Sequence, residues 1–588
     1  MLGCRSLFCI QAVLFSLPVL FVAGGCSPKS AELWTAGTVP REGEPYYEYR
    51  ILNHWDNLDD TVERGYAGHS IWEWTSEEIP TERIKEYGLL NQKIGINGTV
   101  LNNVNASPRI LDSEHVQRAG KIADILRPYG MRVYFSVNFA SPMAMGELPT
   151  ADPLDPAVRQ WWRDKVDYIY SVIPDFGGFL VKASSEGQPG PGDFGRSHDE
   201  GANMMAEALA PHGGIVMWRA FVYGAHSPDR ARQAVEEFEP LDGKFAPNVT
   251  VQVKNGPVDF QPREPVSPLF WKMPSTALTP ELQITQEYLG QGNHAVFLSP
   301  MWKECLDVIP QGKEPKVIAG VANIGQDPTF CGNVFAQANW YAFGRLAWDP
   351  ALSSEQIARE WITHTFPRPW YISKGKWEKE FVTPVLGMML SSREACVDYM
   401  MPLGLHHLFA WEHHYGPEPW CTIPGARPDW LPSYYHKADS LGVGFDRTRE
   451  SGSGAVDQYP PEMAQMYNDI DTCPETVLLW FHHVPWDHIM KSGRTLWDEL
   501  CLHYDRGVKE ATSYREMWEG MRRFVDRDRY ELTLEKFRIQ EKDAKWWRDA
   551  CVQYFGQFSS MPIPDDVQKP EIPLDSLMRI RLPMKAHN

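Results

Sequence analysis

The sequence predicts an α/β protein: a (β/α)8 barrel followed by a mainly α-helical C-terminal domain. Three observations lead there. Between about residues 47 and 350, short apolar runs alternate roughly eight times with segments of helical period, the pattern of strand–helix units around a closed parallel sheet. The runs are nearly continuous in apolar residues, as in Gly177-Gly-Phe-Leu-Val181, which suits strands covered on both faces. After about residue 350, over 351–588, helical periodicity dominates.

The N-terminal segment reads as an export signal. Arg5 supplies a positive start, and Leu7 to Ala23 form an apolar stretch too short and too early for a membrane span. Val22-Ala-Gly-Gly-Cys26 then sets small residues directly before a cysteine. This resembles a bacterial lipobox. Residues 1–25 are therefore expected to be a lipoprotein signal peptide, with Cys26 lipidated and 26–46 a tether. The expected location is exported, periplasmic or cell-surface, with the membrane touched by the lipid anchor only.

The expected strands are His69–Trp74, Ile96–Asn105, Met131–Asn138, Gly177–Ser184, Ile215–Tyr223, Val249–Asn255, Leu282–Glu287 and Val317–Asn323. Helical segments such as Ser113–Leu126, Pro156–Val172 and Pro228–Phe238 lie between them. Further on, helices are expected at Ser354–Phe366, Lys376–Leu390, Glu462–Asp469, Ser513–Phe524 and Glu531–Trp547. Loops 403–437 and 480–487, rich in Trp, His and Pro, are placed to cover the barrel mouth.

Composition narrows the partners. A net charge of −19 argues against nucleic acid, whose backbone needs a basic footprint. It leaves room for a small anionic substrate, which needs only local positive charge. The 23 Trp, 23 Tyr and 26 Phe offer flat rings that suit the apolar faces of sugars. Seven cysteines follow Cys26, scattered without metal-ligand spacing and not as a disulfide framework.

The ends of the expected strands carry the chemistry. In such a barrel the active site lies at the C-terminal ends of the strands. Lys182 and Glu186 follow one strand, Arg219 another, Lys254 and Asp259 a third, and Glu287 a fourth. Glycoside hydrolysis asks for an acid at the leaving oxygen and a second carboxylate for water or direct attack. Glu186, Asp259 and Glu287 meet that need. Lys182, Arg219 and Lys254 suit a substrate carboxylate, which a neutral sugar lacks. Trp55, expected just before the first strand, and Trp430 are candidate sugar platforms, as is Trp480.

These residues resemble glycoside hydrolase family 67, the xylan α-glucuronidases. The resemblance is carried by His54-Trp-Asp-Asn-Leu-Asp-Asp-Thr-Val-Glu-Arg-Gly-Tyr-Ala-Gly68, Leu101-Asn-Asn-Val-Asn105, Gly178–Gly190 and Trp218–Tyr223. Gln252–Pro265, Gln283–Gly290, Ala336–Trp348, Gly404–Pro417 and Leu479–Pro485 extend it. It implies a barrel, no metal or other cofactor, and inversion at the anomeric carbon. Position by position it implies Glu186 as general acid and Asp259 and Glu287 as the pair that activates water, without saying which is the principal base. Lys182, Arg219 and Lys254 would hold the uronate carboxylate. Trp55 and Trp430 would wall the sugar, and Val104 would leave room for a 4-O-methyl ether. The implied substrates are glucuronic-acid-substituted xylooligosaccharides. The expected acid–base gap is ~6.5–9.5 Å, as inversion requires. A homodimer through the C-terminal domain is also implied. The family's usual N-terminal β-sandwich is expected to be missing. Alternatives are another uronide-specific α-glycosidase, one for a neutral sugar, or a non-catalytic lipoprotein that binds acidic oligosaccharides.

Overall fold

The computed structural model describes residues 39, 41–220, 227–411 and 413–582. The expected signal peptide, Cys26 and most of the tether lie outside these, as does the 221–223 end of the fifth expected strand.

Eight strands close a parallel barrel: β1 Tyr49–His54, β2 Gly98–Val100, β3 Arg132–Ser136, β4 Gly178–Val181, β5 Ile215–Arg219, β6 Val249–Lys254, β7 Leu278–Gln283 and β8 Val317–Ala322. Each pairs with the next, and β8 closes on β1 with Tyr49 opposite Val317 and His54 opposite Ala322. Side chains alternate, as strand geometry demands. Ile51, Val100, Tyr134, Leu180 and Met217 pack together inside the barrel. Their neighbours Leu52, Val133, Phe179, Val216 and Val251 face outward into the surrounding core. Inside, Tyr134 fills the floor so closely that a Cβ on Gly177 would stand 2.1 Å from its ring, so glycine there is required.

Two strands lie elsewhere than the sequence suggests. His69–Trp74 is turns and bends, and β1 is Tyr49–His54. Arg50, Asn53 and His54 interrupt its apolar run, which hid it. Trp55 therefore follows the first strand instead of preceding it. β7 begins four residues before its expected start and ends at Gln283, because Pro280 sits inside it where proline argues against a strand.

Helices Ser113–Leu126 and Pro156–Val172 run where expected, each capped by an aspartate, Asp112 and Asp155, whose side chain accepts a first-turn N–H. Two C-terminal helices are much longer than their periodicity suggests. Thr383–Met400, Leu496–Glu519 and Arg527–Ser559 pack on one another; the last contains the segment expected at 531–547, and Leu496–Glu519 starts well before the one expected at 513–524 and ends within it, with 520–524 in turns. The two regions share one core: the Phe335 ring lies 5.3, 5.5 and 5.9 Å from Trp361, Trp518 and Phe537. A buried ion pair joins them too. Arg447 Nε is 2.9 Å from Asp229 Oδ2, and Asp229 also caps the helix Arg230–Phe238. All seven described cysteines are buried and unpaired. Among the described residues no helix is long and apolar enough to cross a membrane.

Candidate active site

Inward-facing positions at the C-terminal ends of the strands are where alternation and loop chemistry coincide. β6 turns Thr250, Gln252 and Lys254 inward, and β7 turns Thr279, Glu281 and Gln283 inward, with Thr250 and Thr279 hydroxyls 2.7 Å apart. Above this polar layer a cavity of about 330 Å³ opens. Glu186, Asp259, Glu287, Lys182, Arg219, Lys254, Trp55, Val104 and Trp430 all line it. The structure thus brings together every described residue the sequence singled out for the site. Trp480 is the exception among the aromatics: it is buried in the core, where Arg447 lies 4.4 Å over its ring. Loop 403–437 does reach the mouth, through His407, Trp411, His414 and Trp430. Loop 480–487 does not; Val484–Pro485 instead pairs with Gly442–Val443.

The loop after β4 holds Glu186. Ser184 and Glu186 both take left-handed backbone conformations, with φ of 57° and 51°, uncommon for such residues and typical of strained functional loops. Lys182 contacts Glu186 and donates to Asn105 Oδ1 at 2.7 Å. Asn105 in turn donates to Glu63 at 3.3 Å.

Asp259 sits past β6. Lys254 Nζ lies 2.9 Å from its Oδ1, and the Tyr288 hydroxyl donates to Oδ2. Burial by itself raises this carboxyl, but the Lys254 charge, the Tyr288 hydrogen bond and nearby Arg230 outweigh burial and hold it well below the usual carboxylate range. Burial in turn lowers Lys254, with Arg219 and Arg230 adding to the effect and Asp259 opposing it.

Glu287 is bound on both oxygens. Arg64 and His414 Nδ1 lie 2.9 and 2.8 Å from Oε1, and Gln283 donates to Oε2 at 2.9 Å. Burial again raises the carboxyl, and the Arg64 charge and His414 hydrogen bond bring it below its usual range. Both carboxylates are therefore ionised near neutral pH. Arg219 pairs inside the barrel with Glu281, Nη2 to Oε1 at 2.7 Å.

Glu63, Arg64, Asn105, Arg230, Phe260, His407, Trp411 and His414 line the cavity without having been singled out. Arg64 and Asn105 stand inside strings quoted for the resemblance, as do His407, Trp411 and His414, so their placement was within reach. Arg230 carries no such signal. Among the described residues no group of three His, Cys, Asp or Glu is placed to hold a metal ion.

Residues 35–327 match the glycosyl hydrolase family 67 middle domain, and 331–568 match the glycosyl hydrolase family 67 C-terminus. The chain belongs to glycosyl hydrolase family 67. A probable alpha-glucuronidase A of Aspergillus flavus is 41% identical over 538 residues, 87% of this chain and 62% of that protein. The alpha-glucuronidase A of Emericella nidulans is 41% identical over 554 residues, 89% of this chain and 64% of that protein. The chain thus spans less than two thirds of the length of these curated relatives. Among solved structures, an O-GlcNAc hydrolase of Thermobaculum terrenum shares 9% identity at a TM-score of 0.37, covering 89% of this chain and 99% of that one. A likeness that remote bears on neither the family 67 site nor its chemistry.

Proposed function

We propose that this family 67 chain is an inverting α-glucuronidase that releases glucuronic or 4-O-methylglucuronic acid from xylooligosaccharides. One observation carries the reading: a single small cavity is lined by Glu186, Asp259 and Glu287 and also by Lys182, Arg219 and Lys254. The cations supply a seat for a uronate, and the carboxylates supply acid and base. The names of the relatives point the same way.

In this reading Glu186 donates the proton to the leaving oxygen. Asp259, ionised beside Lys254, takes a proton from the attacking water, and Glu287 orients that water. Lys182 now contacts Glu186. A uronate carboxylate competing for Lys182 frees Glu186 to take up its proton, so the correct substrate helps arm the acid. Trp55 and Trp430 wall the sugar, and Val104 borders the methyl ether.

The test is hydrolysis of aldouronic acids bearing 4-O-methylglucuronate on the terminal xylose, with NMR of the fresh product. The expected result is uronic acid released first as the β-anomer. Initial release of the α-anomer sinks inversion, and release of nothing by folded protein sinks the activity. The string ending at Cys26 supports an exported lipoprotein, and the family resemblance supports a homodimer. Membrane fractionation and light scattering test these; a wholly soluble or monomeric protein counts against each in turn.

A further inference from the structure

His407 reaches the cavity from loop 403–437. Its backbone stands in the left-handed region, with φ 57°, a conformation that costs energy in a residue with a Cβ and persists where the surroundings hold it. Gln261, two residues beyond Asp259 and fully buried, supplies that hold. Its Oε1 accepts the His407 backbone N–H at 2.9 Å, and its Nε2 lies 3.0 Å from His407 Nδ1. The rings of Tyr435 and His414, 4.9 and 5.7 Å away, confine the imidazole further.

These two bonds decide where the ring proton sits. A backbone N–H can only donate, so the carboxamide turns its oxygen to it and its NH2 to Nδ1. The NH2 also only donates, so Nδ1 accepts and carries no hydrogen. In a neutral imidazole the proton is then on Nε2. A second ring proton would set one N–H against another across the 3.0 Å contact with Gln261. Burial, then His414, His406 and Arg230, oppose the charge as well and outweigh Asp259, holding this imidazole well below the usual histidine range. His407 is therefore a fixed, uncharged donor in a cavity otherwise lined by cations and carboxylates. Among the described residues its Nε2 has no hydrogen-bond partner.

We propose that His407 Nε2–H donates to one ring hydroxyl of the uronosyl unit, which makes His407 a specificity-determining residue, and that Gln261 keeps the ring in the donating form. The inference rests on the cavity seating that uronosyl unit. A sugar hydroxyl accepts one hydrogen bond while giving its own hydrogen to a second group, and the neighbouring carboxylates are ready acceptors. A neutral N–H completes that pairing and adds no charge to compete with Lys182, Arg219 and Lys254 for the uronate. A site built to bond a hydroxyl leaves its donor unmet when the hydroxyl is missing, so it discriminates against the deoxy sugar.

The experiment measures kcat/KM of the full chain on aldotriouronic acid and on three analogues carrying 2-, 3- or 4-deoxyglucuronate. Wild type is compared with His407→Asn, which tolerates the left-handed backbone, and with Gln261→Met, which keeps the imidazole and frees its tautomer. His407→Asn is expected to lose about three- to tenfold on the parent and on two analogues, the worth of one neutral hydrogen bond, and to match wild type on the third. Gln261→Met is expected to show a smaller loss with the same single exception, and it carries the test alone if His407→Asn does not fold. The proposal is overturned if the loss is equal on all four substrates, which is the mark of a structural role, or if the parent is hydrolysed as fast by the variants as by wild type. Failure of the wild type to hydrolyse the parent overturns the underlying activity and this proposal with it.

Discussion

Glu264 accepts the backbone N–H of Asp259 at 2.9 Å and is itself wholly buried behind that carboxylate. It also accepts the Val258 N–H at 2.9 Å and meets His406 Nε2 at 2.9 Å. One side chain thus sets the turn that presents Asp259 to the cavity. Burial, and then the Asp259 charge, push the Glu264 carboxyl up to about 8. The folded protein therefore keeps a proton that the unfolded chain releases near 4.5, the ordinary value for a glutamate. The stability this contributes is fully present below that lower value and is lost as pH rises through about 8. Glu264→Gln mimics the neutral form, so its melting temperature is expected to gain on wild type steadily across that window. A difference that stays flat with pH refutes this. Glu264→Ala removes the acceptor for both backbone N–H groups and is expected to lower kcat at least about tenfold, two net hydrogen bonds, with little change in KM.

Glu287 is held ionised against its burial by Arg64 and His414. Loss of His414 is expected to let its pKa rise, moving the acidic limb of the kcat/KM profile toward neutral pH. His414 has φ 52°, so asparagine, which tolerates that conformation, is the fitting replacement. The pH–rate profile of His414→Asn checks this: activity near neutral pH should survive better than activity at acid pH. Equal loss at every pH contradicts it.

Arg219 and Glu281 form an ion pair inside the barrel, 4% and 1% exposed. Arg219→Met alone leaves a buried carboxylate without its partner and is expected to cost about 3–5 kcal/mol. Adding Glu281→Met removes the stranded charge and is expected to recover most of that stability by denaturant titration, while hydrolysis of uronides stays lost. If activity returned along with stability, Arg219 would be structural alone.

Much of the site was legible because barrel mouths concentrate charge at strand ends, and Lys182, Arg219 and Lys254 each mark one. The carboxylates were legible for the same reason. β1 was not, since Arg50, Asn53 and His54 break its apolar run. Trp480 turned out to be core, the commoner fate of a lone tryptophan, because a tryptophan near histidines reads alike whether it stacks on a sugar or on Arg447. The charge balance of the mouth was out of reach for a deeper reason. Arg64 reaches Glu287 from 223 residues away and His414 from 127, and no local pattern encodes such meetings.

Glu287 and Glu264 belong to the barrel by chain order, yet each leans on a histidine that the barrel does not carry, His414 and His406. Asp229, beside the cavity residue Arg230, leans on Arg447 in the same way. The second half of the chain therefore completes the barrel's buried charge pairs and is not a passenger. A barrel cut free near residue 350 would keep these carboxylates and lose the partners that hold them. Chimaeras between relatives would work only where both halves of these three pairs are inherited together, so the natural unit of exchange in this lineage is the two regions joined.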